Sequence, residues 1–244
     1  MHVFRWNRHE IRTYSSRIGA RLVSEGVAAP KPLVKVGGEP LLGRLFRIFL
    51  DNGAESISVI TNEEMTEVHQ FIQAQQLPVP LNVVIKSTPS SFHSFYELKP
   101  FLEGSKFCLT TVDPIFREQE FADYIQAFAT DEQDDALMGV TSYIDDEKPL
   151  YVKVEEPSMR ITGYANQAYE DCKYVSGGIY CLNARALDLL PAAMQQGVCR
   201  MRGFQQYLVD AGMGVRAFNF SKVIDIDHAE DIQKAESFIK DTRR

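Results

Sequence analysis

The chain has 244 residues, a formal net charge of −7, 45% hydrophobic residues and 11% aromatics. That length and apolar content suffice for a sizeable core and exclude a disordered chain, while the acidic balance argues against nucleic acid, whose phosphates call for a basic footprint. No apolar run approaches the roughly 20 residues that span a bilayer. The opening MHVFRWNRHEIRTY is charged and has no apolar signal core. Cys108, Cys172, Cys181 and Cys199 lie far apart without metal-ligand spacing, so a cytoplasmic protein with reduced thiols is expected.

In chain order, Leu41, Leu42, Leu45, Phe46, Phe49 and Leu50 fall at helical spacing within Pro40–Asn52, and Gly53 supplies the stop. Ser56–Thr61 is short and β-branched, as a buried strand requires. Asn62 starts a helix to about Gln75, Leu81–Lys86 is a strand, Ser90–Leu102 a helix and Lys106–Val112 a strand. Residues 117–129 form a helix with Phe121, Tyr124, Ile125 and Phe128 inward. This alternation predicts an α/β fold, a mostly parallel sheet with right-handed crossovers and helices on both faces. Beyond Asp135 the rhythm is irregular: strands at Ala136–Tyr143, Leu150–Glu155, Tyr174–Leu182 and 214–220, helices near 183–195 and 202–212, and a last helix His228–Lys240. No repeat or linker divides the chain, which predicts a single domain over 18–244.

Three segments carry candidate chemistry, and in open sheets ligands sit beyond the carboxyl ends of strands. In Arg17-Ile-Gly-Ala-Arg-Leu22 and Pro30-Lys-Pro-Leu33, a loop at Gly19 can present backbone N–H groups to phosphate, with Arg21 and Lys31 neutralising it. The competing reading is a surface loop with two solvated cations. Asp113 closes the apolar strand Lys106–Val112, where it suits either Mg²⁺ or the cap of the helix that follows. Asp227 fits an N-cap with Glu230 three residues on as in a capping box, which leaves Asp225 as the better metal candidate.

Taken together, these segments, with Val36-Gly-Gly-Glu-Pro-Leu41, Ser176-Gly-Gly-Ile-Tyr180 and the DIDHAEDI run, resemble nucleotidyltransferases of the sugar-1-phosphate type over nearly all of residues 18–240. The resemblance implies a Rossmann-like fold of the nucleotide-diphospho-sugar transferase type. It also implies transfer of a nucleotidyl group from an NTP to a phosphorylated acceptor, with release of pyrophosphate. Gly19, Arg21 and Lys31 would hold the triphosphate, Lys31 and Arg21 also serving catalysis, and Asp113 and Asp225 would bind Mg²⁺. Ser90 and Ser91 fall where such proteins meet the nucleobase, a helix start being the alternative. Glu155, Ser176 and Gly177 would meet the acceptor. His93 and His228 are assigned surface or capping roles. The partners implied are a nucleoside triphosphate and a small phosphorylated acceptor, with no nucleic acid or membrane; a homo-oligomer is left open.

The sequence departs from the family pattern in two places. Such proteins open on an apolar strand running into a Gly-rich loop, whereas here TYSSRIGARL places Arg17 where the first glycine belongs, and 9–17 makes a poor central strand. One choice of codons for His9–Arg17, read one base later, gives Met-Lys-Tyr-Ala-Leu-Ile-Ala-Ala-Gly, and the loss of one base near the codon for Ile18 would rejoin the frame at Gly19. Residues 1–17 are therefore expected to be an out-of-frame reading. Glu156 stands where many sugar-nucleotide enzymes carry Lys, and Ser176 where they usually carry Asn, so a non-sugar acceptor such as phosphocholine is the alternative. A catalytically decayed nucleotide-binding domain is a further alternative.

Overall fold

The computed structural model describes residues 2–5, 12–15 and 20–241. The first half runs β1 (His2–Arg5), β2 (Arg12–Ser15), α1 (Ala20–Ser24), a single 3₁₀ turn at Lys31–Leu33, β3 (Lys35–Val36), β4 (Glu39–Pro40) and α2 (Leu41–Asp51). It continues through β5 (Ile57–Thr61), α3 (Thr66–Gln73), β6 (Leu81–Ile85), α4 (Ser91–Leu98), β7 (Phe107–Thr110), β8 (Pro114–Ile115) and α5 (Glu118–Thr130). The second half holds β9 (Ala136–Thr141), β10 (Tyr151–Glu155), β11 (Arg160–Ala165), β12 (Tyr174–Leu182), α6 (Arg185–Asp188) and α7 (Leu190–Gln195). It ends with α8 (Met201–Asp210), β13 (Val215–Phe220), β14 (Ile224–Asp225) and α9 (Ala229–Lys240).

Among the described residues ten strands form one mixed sheet in the order β10-β11-β13-β9-β12-β7-β1-β2-β5-β6. The pairs β2–β5, β5–β6 and β9–β13 are parallel. Antiparallel pairing enters where β12 slots between β7 and β9 and where β10 and β11 form a hairpin on one edge. β11 goes beyond the sequence-based reading, because RITGYA is short and carries only a weak alternation. Residues 12–15, which read as a poor strand, lie extended and parallel to β5 with Thr13 opposite Val59 and Ser15 opposite Thr61. Backbone pairing asks only for N–H and C=O groups, so a polar segment can take that place beside an apolar strand.

Alternate side chains point to opposite faces of a strand, and the two faces here bury two cores. Ile57, Val59, Cys108, Leu137, Ile179 and Cys181 pack with α2, α3, α5 and α9. Ile60, Phe107, Leu109, Met138, Tyr180 and Leu182 pack with α4, α6, α7 and α8. α2 shows the logic: Leu41, Leu42, Leu45, Phe46, Ile48 and Phe49 form one wide stripe and are all buried. Each such side chain contributes about 1.5–3 kcal/mol on leaving water. The helix stops at Gly53, whose φ of 78° is a backbone state that other residues rarely adopt. Among the described residues no helix is long and apolar enough to cross a membrane.

Candidate active site

Three chain segments converge beyond the ends of β7 and β9. The Lys31–Leu33 turn places Lys31 almost out of solvent, at 7% exposure. Past β7, the chain turns at Asp113 into β8, which pairs antiparallel with β14, Pro114 opposite Asp225. The Ile226 N–H donates to the Asp113 carbonyl at 3.2 Å. This short ladder sets Asp113 and Asp225 diagonally adjacent, although 112 positions separate them in the sequence.

Lys31 is the hub. Its Nζ donates to Asp113 Oδ2 and to Asp227 Oδ1, both at 2.6 Å. Burial disfavours the ammonium, but the charges of Asp113 and Asp227 outweigh that cost and hold the Lys31 pKa above its ordinary value. Burial likewise works against the Asp113 carboxylate, yet the adjacent Lys31 charge keeps its pKa below the usual range. Asp113 Oδ1 is buried, with no hydrogen-bond partner among the described residues. Asp225 opens onto the cleft, and the protein crowded around it, together with the charge of Asp113, raises its carboxyl above the usual range. The base of the site thus holds two neighbouring acids, one with a buried oxygen that no described residue donates to, next to a fixed ammonium. A further cation between them would relieve both strains.

The cleft above has a volume of about 310 Å³ and is lined by residues including Arg21, Thr141, Ser176, Gly177, Asp225 and Asp227. Arg21, half exposed, donates to Glu147 Oε2 at 3.0 Å and lies 3.9 Å from Asp227 Oδ2. The floor is formed where β12 slips register between Ser176 and Tyr180. Gly177 sits so tightly there that a Cβ would lie 3.2 Å from Val223 Cγ2 and 3.3 Å from the Gly139 carbonyl. Ser176 Oγ donates to Oε1 of the buried Gln205 at 3.1 Å.

Of the sequence-based candidates, Arg21, Lys31, Asp113, Asp225, Ser176 and Gly177 are gathered around this cleft. Gly19 and Arg17 lie outside the described residues. Ser90 is the N-cap of α4, its Oγ accepting from His93 N at 3.5 Å and donating to the Cys199 carbonyl at 2.6 Å. Ser91 opens the same helix, so the helix-start alternative describes this segment, and neither serine lines the cleft. Glu155 ends β10 and is exposed away from the lining, and Glu156 pairs with Lys173 at 2.9 Å.

The cap of α9 also differs from expectation. The N-cap is His228, not Asp227, and Asp231, not Glu230, accepts from the His228 N–H at 2.8 Å. Shifting the cap by one residue frees the Asp227 carboxylate for Lys31. Asp113 is likewise not a cap, because α5 starts at Glu118 after Arg117. Sequence reasoning passed over Asp145, Asp146 and Glu147, which line the cleft just past β9. The available signal was an acidic run closing an apolar strand, the same signal that marks Asp113.

Similarity to known proteins extends to family and fold. A bifunctional IPC transferase and DIPP synthase of Thermococcus kodakarensis is 31% identical over 88 residues, which cover 36% of this chain and 20% of that relative's length. The inositol-1-phosphate CTP transferase of T. maritima superposes with a TM-score of 0.78 at 24% identity, covering 97% of this chain and 98% of that one. A Bacillus anthracis protein assigned as a glucose-1-phosphate thymidylyltransferase superposes with a TM-score of 0.81 at 16% identity, covering 94% of each chain. At these identities the two superpositions show a shared fold. The nucleotidyl transferase family pattern matches residues 18–242. The chain belongs to the nucleotidyl transferase family.

Proposed function

We propose that the cleft transfers a nucleotidyl group to a phosphorylated acceptor, with Mg²⁺ held by Asp113 and Asp225 and with the triphosphate gripped by Arg21 and Lys31. The observation that carries the reading is the buried Asp113 Oδ1, to which no described residue donates, beside Asp225. Mg²⁺ typically takes one or two protein carboxylates and completes its octahedron with phosphates and water. When bound, the ion would neutralise the phosphates and polarise the α-phosphoryl group.

The chain's own residues do the rest. An acceptor phosphate oxygen attacks the α-phosphorus, the bond from that phosphorus to the bridging oxygen breaks, and pyrophosphate leaves with the electron pair. Both reactants are anions, so positioning and charge neutralisation carry the acceleration and no side-chain nucleophile is needed. Lys31 is held by two carboxylates at a fixed point and can exchange one of them for a phosphate oxygen without moving far. Arg21 offers a planar fork to the same triphosphate from the rim. The floor at Ser176 and Gly177 receives the acceptor. A sugar or cyclic polyol phosphate is the favoured class, with CTP and inositol 1-phosphate the first pair to try; phosphocholine is the second class. Such substrates belong to a cytoplasmic setting.

Pyrophosphate release measured with four NTPs against a panel of acceptor phosphates tests the reading. Turnover with at least one pair, dependent on Mg²⁺, is expected. Nucleotide binding without turnover would replace it with the decayed-domain alternative, and no calorimetric heat with millimolar Mg-NTP would leave a scaffold. We also propose that 1–17 is an out-of-frame segment; an intact frame on resequencing codons 8–20 removes that idea.

A further inference from the structure

The loop between β9 and β10 crosses the mouth of the cleft and is tied at several points. Tyr143 Oη donates to Asp145 Oδ2 at 3.0 Å, and Asp145 pairs with Lys234 of α9 at 3.2 Å. The Lys148 N–H closes a turn onto Asp146 Oδ1 at 2.9 Å, and Arg202 of α8 donates to the Lys148 carbonyl at 3.1 Å. These ties deliver Glu147 across the cleft to Arg21, where Oε2 accepts from Nη2 at 3.0 Å, with Oε1 3.8 Å from His228 Nε2. Asp227 Oδ2 lies 3.9 Å from the Arg21 Nη1. In this state the guanidinium assigned to the triphosphate therefore faces two protein carboxylates.

We infer that Glu147 acts through Arg21 as a competitor: it pairs with the guanidinium and must yield it to the incoming triphosphate. The inference rests on the proposed role of Arg21. Glu147 belongs to the loop that leads from β9 to β10, whereas Arg21 belongs to the segment after β2. Their pairing thus links the two sides of the cleft, and nucleotide entry must loosen the loop. Both side chains are more than half exposed, at 52% and 59%. The pair is consequently weak enough to exchange, and added salt should screen it.

The test is binding and turnover of Mg-NTP by the full chain carrying Glu147→Gln, Glu147→Asp, Arg21→Gln and the Arg21→Gln/Glu147→Gln pair. Glu147→Gln should tighten Mg-NTP binding and lower its KM by roughly two- to fivefold, with kcat within about twofold of the parent. Glu147→Asp keeps the charge and should return KM toward the parent value. In the Arg21→Gln background the effect of Glu147→Gln should vanish, and rising salt should shrink the parent-to-variant ratio toward one. An unchanged or weakened affinity in Glu147→Gln overturns the inference, as does an effect that survives intact without Arg21. If the parent chain itself binds no Mg-NTP, the proposed function fails instead, so the two failures are distinguishable.

Discussion

The base and the rim of the cleft carry the same kinds of charge in opposite settings. At the base, Lys31 is nearly excluded from water between Asp113 and Asp227, on a turn and strand ends braced by both sheets. At the rim, Arg21, Glu147, Asp145, Lys234 and His228 pair on loops and helix surfaces open to solvent. Breaking a buried pair by removing one partner costs about 3–5 kcal/mol, because a charge is left without compensation. An exposed pair is worth about 0–1 kcal/mol. The contrast teaches that the base holds geometry while the rim can exchange partners as substrates enter and leave.

The sharpest way to break that contrast is at the base. Lys31→Met and Asp113→Asn should each lower pyrophosphate release by about 10²–10³-fold or more, and Lys31→Met should also lower stability in urea by about 3–5 kcal/mol. A Lys31→Met protein of unchanged stability would show that the base is no more buried, in energetic terms, than the rim. Next in size is the floor. Gly177→Ala should cost about 1–3 kcal/mol, because its Cβ would press on Val223 and the Gly139 carbonyl; equilibrium denaturation reads the loss.

At the rim, Arg21→Gln should raise the KM for nucleotide about tenfold while the unfolding midpoint stays within about 0.5 kcal/mol of the parent. A large loss of stability there would erase the distinction. The smallest effect concerns His228, whose Nδ1 lies 2.6 Å from Glu25 Oε1. That hydrogen bond raises the His228 pKa above the ordinary 6.5. Its contribution to anchoring α9 is therefore fully present below the unfolded-state value and is lost as pH rises through the raised one. An NMR titration should find the pKa elevated in the parent and lowered in Glu25→Gln; identical values in both proteins would contradict the assignment.

Much of this architecture could be read before any coordinates, and the reasons are local. The stripe on α2, the β-branched run at β5 and the acid at the end of β7 are one-dimensional patterns that report directly on burial and strand ends. The last of them marked Asp113, while the Pro30–Leu33 run marked Lys31 and the acids after Val223 marked Asp225. Besides the acids at 145–147, other features escaped. β11 has too short an alternation to stand out. Asp227 and His228 are both plausible caps on paper, and only the position of Lys31 decides which carboxylate is free. Ser90 satisfies a cap and a distant carbonyl that no local pattern could place beside it.

The sequence by itself determined the alternation of strands and helices, the two apolar faces of the sheet and the family to which the chain belongs. Each of these depends on residue type at fixed local spacing. Tertiary structure alone decided that Asp113 and Asp225 meet across the β8–β14 ladder, that Lys31 is clamped by two acids, and that Glu147 reaches Arg21 from the far side of the cleft. Those pairings join residues 82 to 196 positions apart. Their partners are chosen by how the sheet orders its strands, because Coulomb attraction and hydrogen bonding act across space, whatever the separation along the chain.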